Sequence, residues 1–298
     1  MINYYSAFGL TISSEIVCPF LSIATTNQSD VQILLCRYKL KLTNGQHLGH
    51  WCEARDNLVL LKIAGIADYL IEDGHVIKIN PKTEDHSLIN LFLTSSVFFI
   101  LLRQRNLLAV HAASVIINNK AIVIAAPAGY GKSTLVAAFL QKGYSILTDD
   151  ISTMKAVDNN FMVYPSFPYI KLCGIATAHL GYDKSLLKRV VPKADKFLFP
   201  LQQAFHHIAT PLSHIFILNI KNHDDCTIVH LHGAKKLQAL ITQMHLSELV
   251  DLQNLAVQTF KNCQRLVQSV PVSEITRPEK GFSAFELVEK IVEDVNSL

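Results

Sequence analysis

The chain has 298 residues, of which half are apolar and only 17% are charged, and its mean hydropathy is +0.26. An average globular protein is about 25% charged, and a disordered chain needs low hydrophobicity with high net charge, so disorder is excluded. A net charge of +3 without any Lys/Arg run argues against nucleic acid as a partner.

The length suits one large domain or about two. The apolar excess suits a homo-oligomer or another partner interface. The six cysteines (Cys18, Cys36, Cys52, Cys173, Cys226, Cys263) are scattered with no CxxC pair, and read as reduced, mostly buried thiols. The opening MINYYSAFGL has no basic segment followed by a long apolar run, so no secretory signal is expected and the cytoplasm is the expected compartment.

Residues 1–105 form the first expected domain, which is β-rich. Short apolar or alternating runs at Tyr4–Ile12, Val31–Cys36, Leu58–Ile63, Tyr69–Ile71 and Val76–Ile79 are separated by turn pairs such as Asn44-Gly45 and Asp73-Gly74, which favour hairpins. None of this part carries a catalytic pattern.

Leu88–Leu102 is the most apolar stretch, broken by Asn90, Thr94, Ser95 and Ser96. A membrane span needs about 20 largely apolar residues, so a buried helix over about 86–105 is expected rather than a span. Asp85 or Ser87 can cap it, and Arg103 and Arg105 suit its C-terminal end.

Residues 106–298 form the second expected domain, with an α/β texture. Ser114–Ile117 and Ala121–Ala125 read as strands joined at Asn118-Asn119. Ala126–Gly131 is a loop, Lys132–Gln141 a helix stopped by Gly143, and Tyr144–Leu147 the next strand. Strand, loop, helix and strand at these lengths suggest a right-handed βαβ crossover between parallel strands. Further strands are expected at Tyr169–Leu172, His214–Ile220 and Thr227–Leu231, a helical block at about 234–268, an extended piece between Pro271 and Pro278, and a last helix at about 283–297. The apolar stripe of that helix (Ala284, Leu287, Val288, Ile291, Val292, Val295) has the spacing of one helical face.

The run APAGYGKST, Ala126–Thr134, fits G-x-x-x-x-G-K-[ST] at every position but the first, where alanine replaces glycine. Gly129 and Gly131 allow the backbone around Tyr130 to wrap a phosphate with inward N–H groups. The helix starting near Lys132 adds its positive end. Lys132 offers a charge to the β/γ-phosphates, and Ser133, or Thr134 in its place, a hydroxyl to Mg²⁺. Asp149-Asp150 closes the next strand. In a parallel sheet adjacent strands end at the edge where ligands bind, so one carboxylate can hold Mg²⁺ and the other can accept a proton from an attacking hydroxyl. Ser133 with Asp150 is the expected ligand pair of the ion. The division of labour between the aspartates stays open, because successive residues point in different directions.

The runs HAASV at 111–115, AIVIAAPAGYGKSTL at 121–135 and GYSILTDD at 143–150 together resemble the HPr kinase/phosphorylase superfamily. Within it they are most similar to the kinases that phosphorylate a serine of lasso-peptide precursors. SAFGLTISSEI, DYLIEDGHVIKINP, YPSFPYIKL, PKADKFLFP and VPVSEITRP extend the resemblance over most of the chain.

The resemblance implies a P-loop kinase core with a phosphoenolpyruvate carboxykinase-like fold, ATP and Mg²⁺ as cofactors, and a peptide or small protein as acceptor. It implies that Gly129–Ser133 bind the ATP phosphates, that Asp149 and Asp150 supply base and metal ligand, and that His111 stands near the phosphates. Lys171, Lys193 and Lys196 match basic positions that hold phosphate or a substrate carboxylate, and Arg277 is a further basic candidate. Ala126 departs from the pattern, as does the lack of the glycine-rich signature that follows the aspartates in HPr kinase/phosphorylases. Phosphorolysis, HPr as substrate and the hexamer are therefore not implied.

A nucleotide-sensing module without turnover and a small-molecule kinase are the alternative readings. His230 and His232 alternate on a strand, with His206, His207, His214, Asp224 and Asp225 near in sequence. No carboxylate–histidine spacing among them specifies a metal site.

Overall fold

A computed structural model describes residues 2–158, 160–191, 194–222, 224–244 and 253–297, the last stretch with side chains from residue 257 onward. It is a mixed α/β structure with two large sheets. The chain divides into two compact units. One comprises Met1–Ala109 with Leu246–Lys261, the other Val110–His245 with Asn262–Leu298. The division falls a few residues beyond the expected position at 105, and the first unit takes back a later segment that no local signal announces.

The first unit is built on a nine-stranded sheet. Its strands are β1 (Asn3–Ala7), β2 (Leu10–Ser14), β3 (Ser22–Ile23), β4 (Val31–Leu35), β5 (Gln46–His47), β6 (Cys52–Arg55), β7 (Leu58–Ile63), β8 (Ala67–Glu72) and β9 (Val76–Pro81), in the spatial order β3-β1-β2-β4-β9-β8-β7-β6-β5. β5 to β9 form an antiparallel meander, while β4 lies parallel to both β2 and β9. The turn between β8 and β9 places Asp73 and Gly74 at φ +52° and +71°, as the Asp-Gly pair predicts.

The apolar helix follows as α1 (His86–Phe92), a π-turn at Leu93–Val97 and α2 (Phe98–Gln104). Asp85 is the cap: its carboxylate accepts from the Ser87 and Leu88 N–H groups at 2.9 and 3.4 Å. In the π-turn region Thr94 and Ser95 donate their hydroxyls to Asn90 O and Leu91 O, both at 2.8 Å, a back-bonding that bends helices.

This helix is long and apolar enough to cross a membrane by composition. Leu93, Val97, Phe98, Leu101 and Leu102 are nonetheless buried within the unit. The Tyr69 hydroxyl of β8 donates to Ile89 O at 2.9 Å, and Gln104 Nε2 donates to Asn57 O at 2.8 Å, fixing both ends to the sheet.

β10 (Leu108–Val110) spans the junction. The sheet of the second unit contains β11 (Ala112–Ile117), β12 (Lys120–Ala125), β13 (Ile146–Thr148), β14 (Ser152–Val157), β15 (Asn160–Tyr164), β19 (Thr210–Lys221), β20 (Thr227–His230) and β21 (Val272–Pro278). A separate three-stranded sheet is formed by β16 (Tyr169–Cys173), β18 (Lys196–Pro200) and β17 (Lys188–Arg189). The helices are α3 (Lys132–Gln141), α4 (Gly174–His179), α5 (Ala234–Thr242), α6 (Gln253–Ser269) and α7 (Ala284–Ser297). Residues 245–252 of the expected helical block at 234–268 lie outside the described residues.

β12, β19 and β21 are parallel neighbours, and β20 is antiparallel to β21. One expectation is corrected here. β12 and β13 do run the same way, but they are not adjacent. β11 lies between them, antiparallel to both, because the 112–125 hairpin fills the place that a simple βαβ unit would leave to its second strand.

α3 and α7 pack on one face of this sheet. Leu135, Val136 and Phe139 of α3 and Leu287, Val288 and Ile291 of α7 share a core with Ile122, Ile124, Phe216 and Leu218 of the strands. Each such side chain contributes on the order of 1.5–3 kcal/mol. α3 ends in a Schellman turn: Gly143, at φ +86°, donates to Leu140 O at 3.0 Å and Tyr144 N to Phe139 O at 3.1 Å.

Candidate functional site

The loop from Ala126 to Gly131 joins β12 to α3. Gly129 and Gly131 have φ of +85° and +97°, a region that side chains other than glycine's enter only with strain. Ala126 is not among the left-handed residues, and its Cβ is buried in the core under α3. The substitution at the first loop position is thus absorbed by packing. Gly131 caps α3 without a side-chain hydrogen bond, so the first N–H groups of that helix face the loop with no intrahelical partner.

Ser133, on the first turn of α3, donates to Asp149 Oδ1 at 3.1 Å. The other Asp149 oxygen accepts the Lys171 backbone N–H at 2.8 Å. Asp149 is 3% exposed. Burial raises its pKa, and the charge of Asp150 raises it further, against the pull of Lys132 and Lys171. Asp150, held at φ +78°, turns its carboxylate the other way. Lys171 Nζ donates to Asp150 Oδ2 at 2.6 Å, and His111 Nδ1 lies 3.6 Å from Oδ1. Burial works against ionisation of Asp150, but Lys171, His111 and Lys132 outweigh it and hold its carboxyl well below the usual range.

Lys132 is 6% exposed, and its Nζ meets His111 Nε2 at 3.0 Å. Burial lowers its pKa. Asp149 and Asp150 counter that, while Lys196 and Lys171 deepen it. Thr134 sits half-buried one residue further along α3, and Tyr130 packs against the core edge.

The fold therefore brings His111, Lys132, Ser133, Asp149, Asp150 and Lys171 into one cluster of hydrogen bonds and charged contacts beside the glycine loop. Lys196 lies at the exposed start of β18, in register with Cys173, and adds positive charge from the rim. Lys193 is outside the described residues. One expectation changes: the carboxylate on Ser133 is that of Asp149, and Asp150 is committed to Lys171 and His111 instead. A strand that ends in two acids cannot announce which one turns toward the helix.

Arg277 proves more central than its sequence context suggests. From the end of β21 its Nε donates to Tyr130 O at 3.1 Å and its Nη1 to Pro278 O at 2.7 Å. A Cβ on Gly131 would stand 3.5 Å from Arg277 Nε. The arginine braces the loop from a strand 147 positions away in sequence, so no local pattern reveals it.

No family model matches the chain, and no curated protein matches it. Among solved structures, an HPr(Ser) kinase/phosphatase from Coxiella burnetii is similar, with 14% identity and a TM-score of 0.37 over 63% of this chain and 96% of that one. A likeness of this degree assigns no activity to the chain.

The electrostatics of the cluster have a direction of their own. A buried ammonium faces an imidazole rather than a carboxylate at hydrogen-bond distance, and a buried carboxylate is destabilised by its neighbour. An anion beside Lys132 and a cation beside Asp149 would relieve both. The donors around that second position, a hydroxyl and carboxylates, are the hard oxygen ligands that Mg²⁺ takes. The glycine loop and the open start of α3 offer N–H groups to the anion.

Proposed function

We propose that the protein is an ATP- and Mg²⁺-dependent serine kinase that phosphorylates a hydroxyl of a peptide or small protein in the cytoplasm. By the sequence resemblance, that acceptor is a lasso-peptide precursor. The observation that carries the reading is the pair of opposite electrostatic mismatches, at Lys132 and at Asp149, on either side of the glycine loop. A metal–nucleotide complex is the ligand that corrects both.

In this reading the N–H groups of Gly129–Ser133 and the Lys132 ammonium hold the β- and γ-phosphate oxygens, and Arg277 keeps the loop in shape. Ser133 and Asp149 would hold Mg²⁺, an ion that neutralises charge on the phosphoryl oxygens. Asp150, kept ionised by Lys171 and His111, accepts the hydrogen bond of the acceptor hydroxyl. As the hydroxyl oxygen bonds to the γ-phosphorus and the bond to the bridging oxygen of ADP breaks, the hydroxyl proton passes to Asp150. By the resemblance, Lys171 and Lys196 would hold phosphate or an acceptor carboxylate, Lys171 while its Nζ donates to Asp150. Catalysis is then mainly positioning and electrostatic stabilisation.

The test is intact-mass analysis of peptides with terminal or internal serines, incubated with ATP and Mg²⁺ and either the wild type or Asp149→Asn. The expected result is a gain of one phosphate with the wild type and none with the variant, together with an ATP titration that Asp149→Asn alters only when Mg²⁺ is present. ATP binding without transfer to any peptide would favour the nucleotide-sensing module. Absence of ATP binding would overturn the reading.

A further inference from the structure

A second buried polar cluster lies at the other end of β21. Ser273, near the start of that strand and fully buried, sits between two imidazoles: His214 Nε2 of β19 at 2.8 Å and His230 Nδ1 of β20 at 2.9 Å. The second nitrogen of His230, Nε2, meets Asp294 Oδ1 of α7 at 3.1 Å. Four elements, three strands and the helix that covers them, thus contribute to one spot. One ligand atom from each of His214, His230 and Asp294 lies within 4.8 Å of the other two.

Ser273 Oγ can donate to one imidazole and accept from the other, and each ring nitrogen can bind either a proton or a metal ion. His214 is 1% exposed, and among the described residues neither His214 Nδ1 nor Asp294 Oδ2 has a hydrogen-bond partner. Buried polar atoms without a partner are costly, and a bound cation would satisfy a ring nitrogen and a carboxylate oxygen together.

We propose that His214, His230 and Asp294 form a binding site for one divalent transition-metal ion of the Zn²⁺ class. Two imidazoles and a carboxylate are the donor types that such ions take, whereas Mg²⁺ and Ca²⁺ prefer all-oxygen sets. Ligands of a tetrahedral Zn²⁺ at about 2.0–2.1 Å stand roughly 3.4 Å apart, so the three groups, now within 4.8 Å of one another, would have to draw together on the ion. His230 is the most exposed of them. It also lines a cavity of about 900 Å³ shared with His232, Lys236 and Gln268, which gives the ion a path from solvent. The site would tie α7 to the β19–β21–β20 part of the sheet and stands apart from the Lys132 cluster.

The experiment is calorimetric titration of the full chain with ZnCl₂, with bound metal counted by elemental analysis. It uses a Cys173→Ser background, because that cysteine is exposed and thiols take up Zn²⁺. One equivalent should bind. His230→Ala and Asp294→Asn should each weaken binding by more than the about 10–100-fold that loss of an outer partner costs. Both substitutions are conservative for folding, the first because the side chain is half in solvent and the second because it is isosteric. Zn²⁺ should raise the melting temperature of the background protein and of neither variant. Failure to bind one equivalent, or unchanged affinity in either variant, overturns the proposal.

Discussion

Where β21 carries Arg277, a buried ammonium and a buried carboxylate stand near each other without fully balanced partners, beside a half-buried carboxylate that Lys171 and His111 do balance. Where it carries Ser273, two imidazoles share a serine hydroxyl, one of them also meets a carboxylate, and a ring nitrogen and a carboxylate oxygen are left without partners among the described residues. The first end asks for an anion and a cation together, the second for a cation alone. β21 reaches both, through Arg277 and Ser273, while the first cluster otherwise draws on α3, β16 and the chain after β13, and the second on β19, β20 and α7. Strand geometry alone selects neither ligand.

The largest expected effect separates the two ends. Lys132→Ala removes the only buried positive charge on α3 among the described residues. It should lower transfer by about 10²–10³-fold or more and weaken ATP binding by titration, while Zn²⁺ uptake at the His214 cluster stays as in the wild type. Loss of Zn²⁺ uptake in this variant would mean that the two ends are coupled.

A smaller effect tests the role given to Lys171. That lysine is the foremost of the charges holding the Asp150 carboxyl down. A depressed carboxylate stays ionised until the pH falls to its folded value, so the acid limb of kcat/KM lies low. Lys171→Met should raise the Asp150 pKa and move that limb to higher pH, with the alkaline side unchanged. An acid limb that does not move would separate Asp150 from proton transfer.

The smallest effect concerns the loop backbone. Gly131 stands at φ +97°, and a Cβ there meets its nearest atom at an ordinary 3.5 Å. Gly131→Ala should therefore cost about 1–2 kcal/mol of stability by urea unfolding, from strain rather than collision. A loss well above that would mean that Arg277 cannot yield.

The strand–loop–helix at β12–α3 was readable because its signals are local: two glycines, a Lys-Ser pair and a glycine stop at 143. The Asn118-Asn119 turn and the Asp85 cap were readable for the same reason. Three strands of the first unit, β3, β5 and β6, and the hairpin β14–β15 were not. Ser152–Val157 mixes serine, threonine and lysine with apolar residues and lacks the alternation of a half-buried strand. The insertion of β11 between β12 and β13 is a matter of distant pairing, on which spacing along the chain is silent. At the site, residue types were legible but orientation was not, hence the exchange between Asp149 and Asp150 beside Ser133. Asp294 sits on an amphipathic helix whose polar positions all look alike in sequence. Only the packing of α7 over the sheet selects it.

The interleaving of the two units has a consequence for synthesis. Domains generally fold as units, the N-terminal one first, while the chain emerges at about 5–20 residues per second. Here the first unit includes Leu246–Lys261, so it cannot be completed by its first 109 residues. The second waits for β21, which is made after both of its sheet neighbours. A ribosome stalled at residue 270 would present β19 with an open edge along Ile215–Lys221, the loop without its Arg277 brace, and His214 and His230 without Ser273 or Asp294. Until residue 278 has been made, the growing chain has one long strand edge to shield from other chains and a loop without its brace, and until residue 294 the His214 cluster lacks its carboxylate.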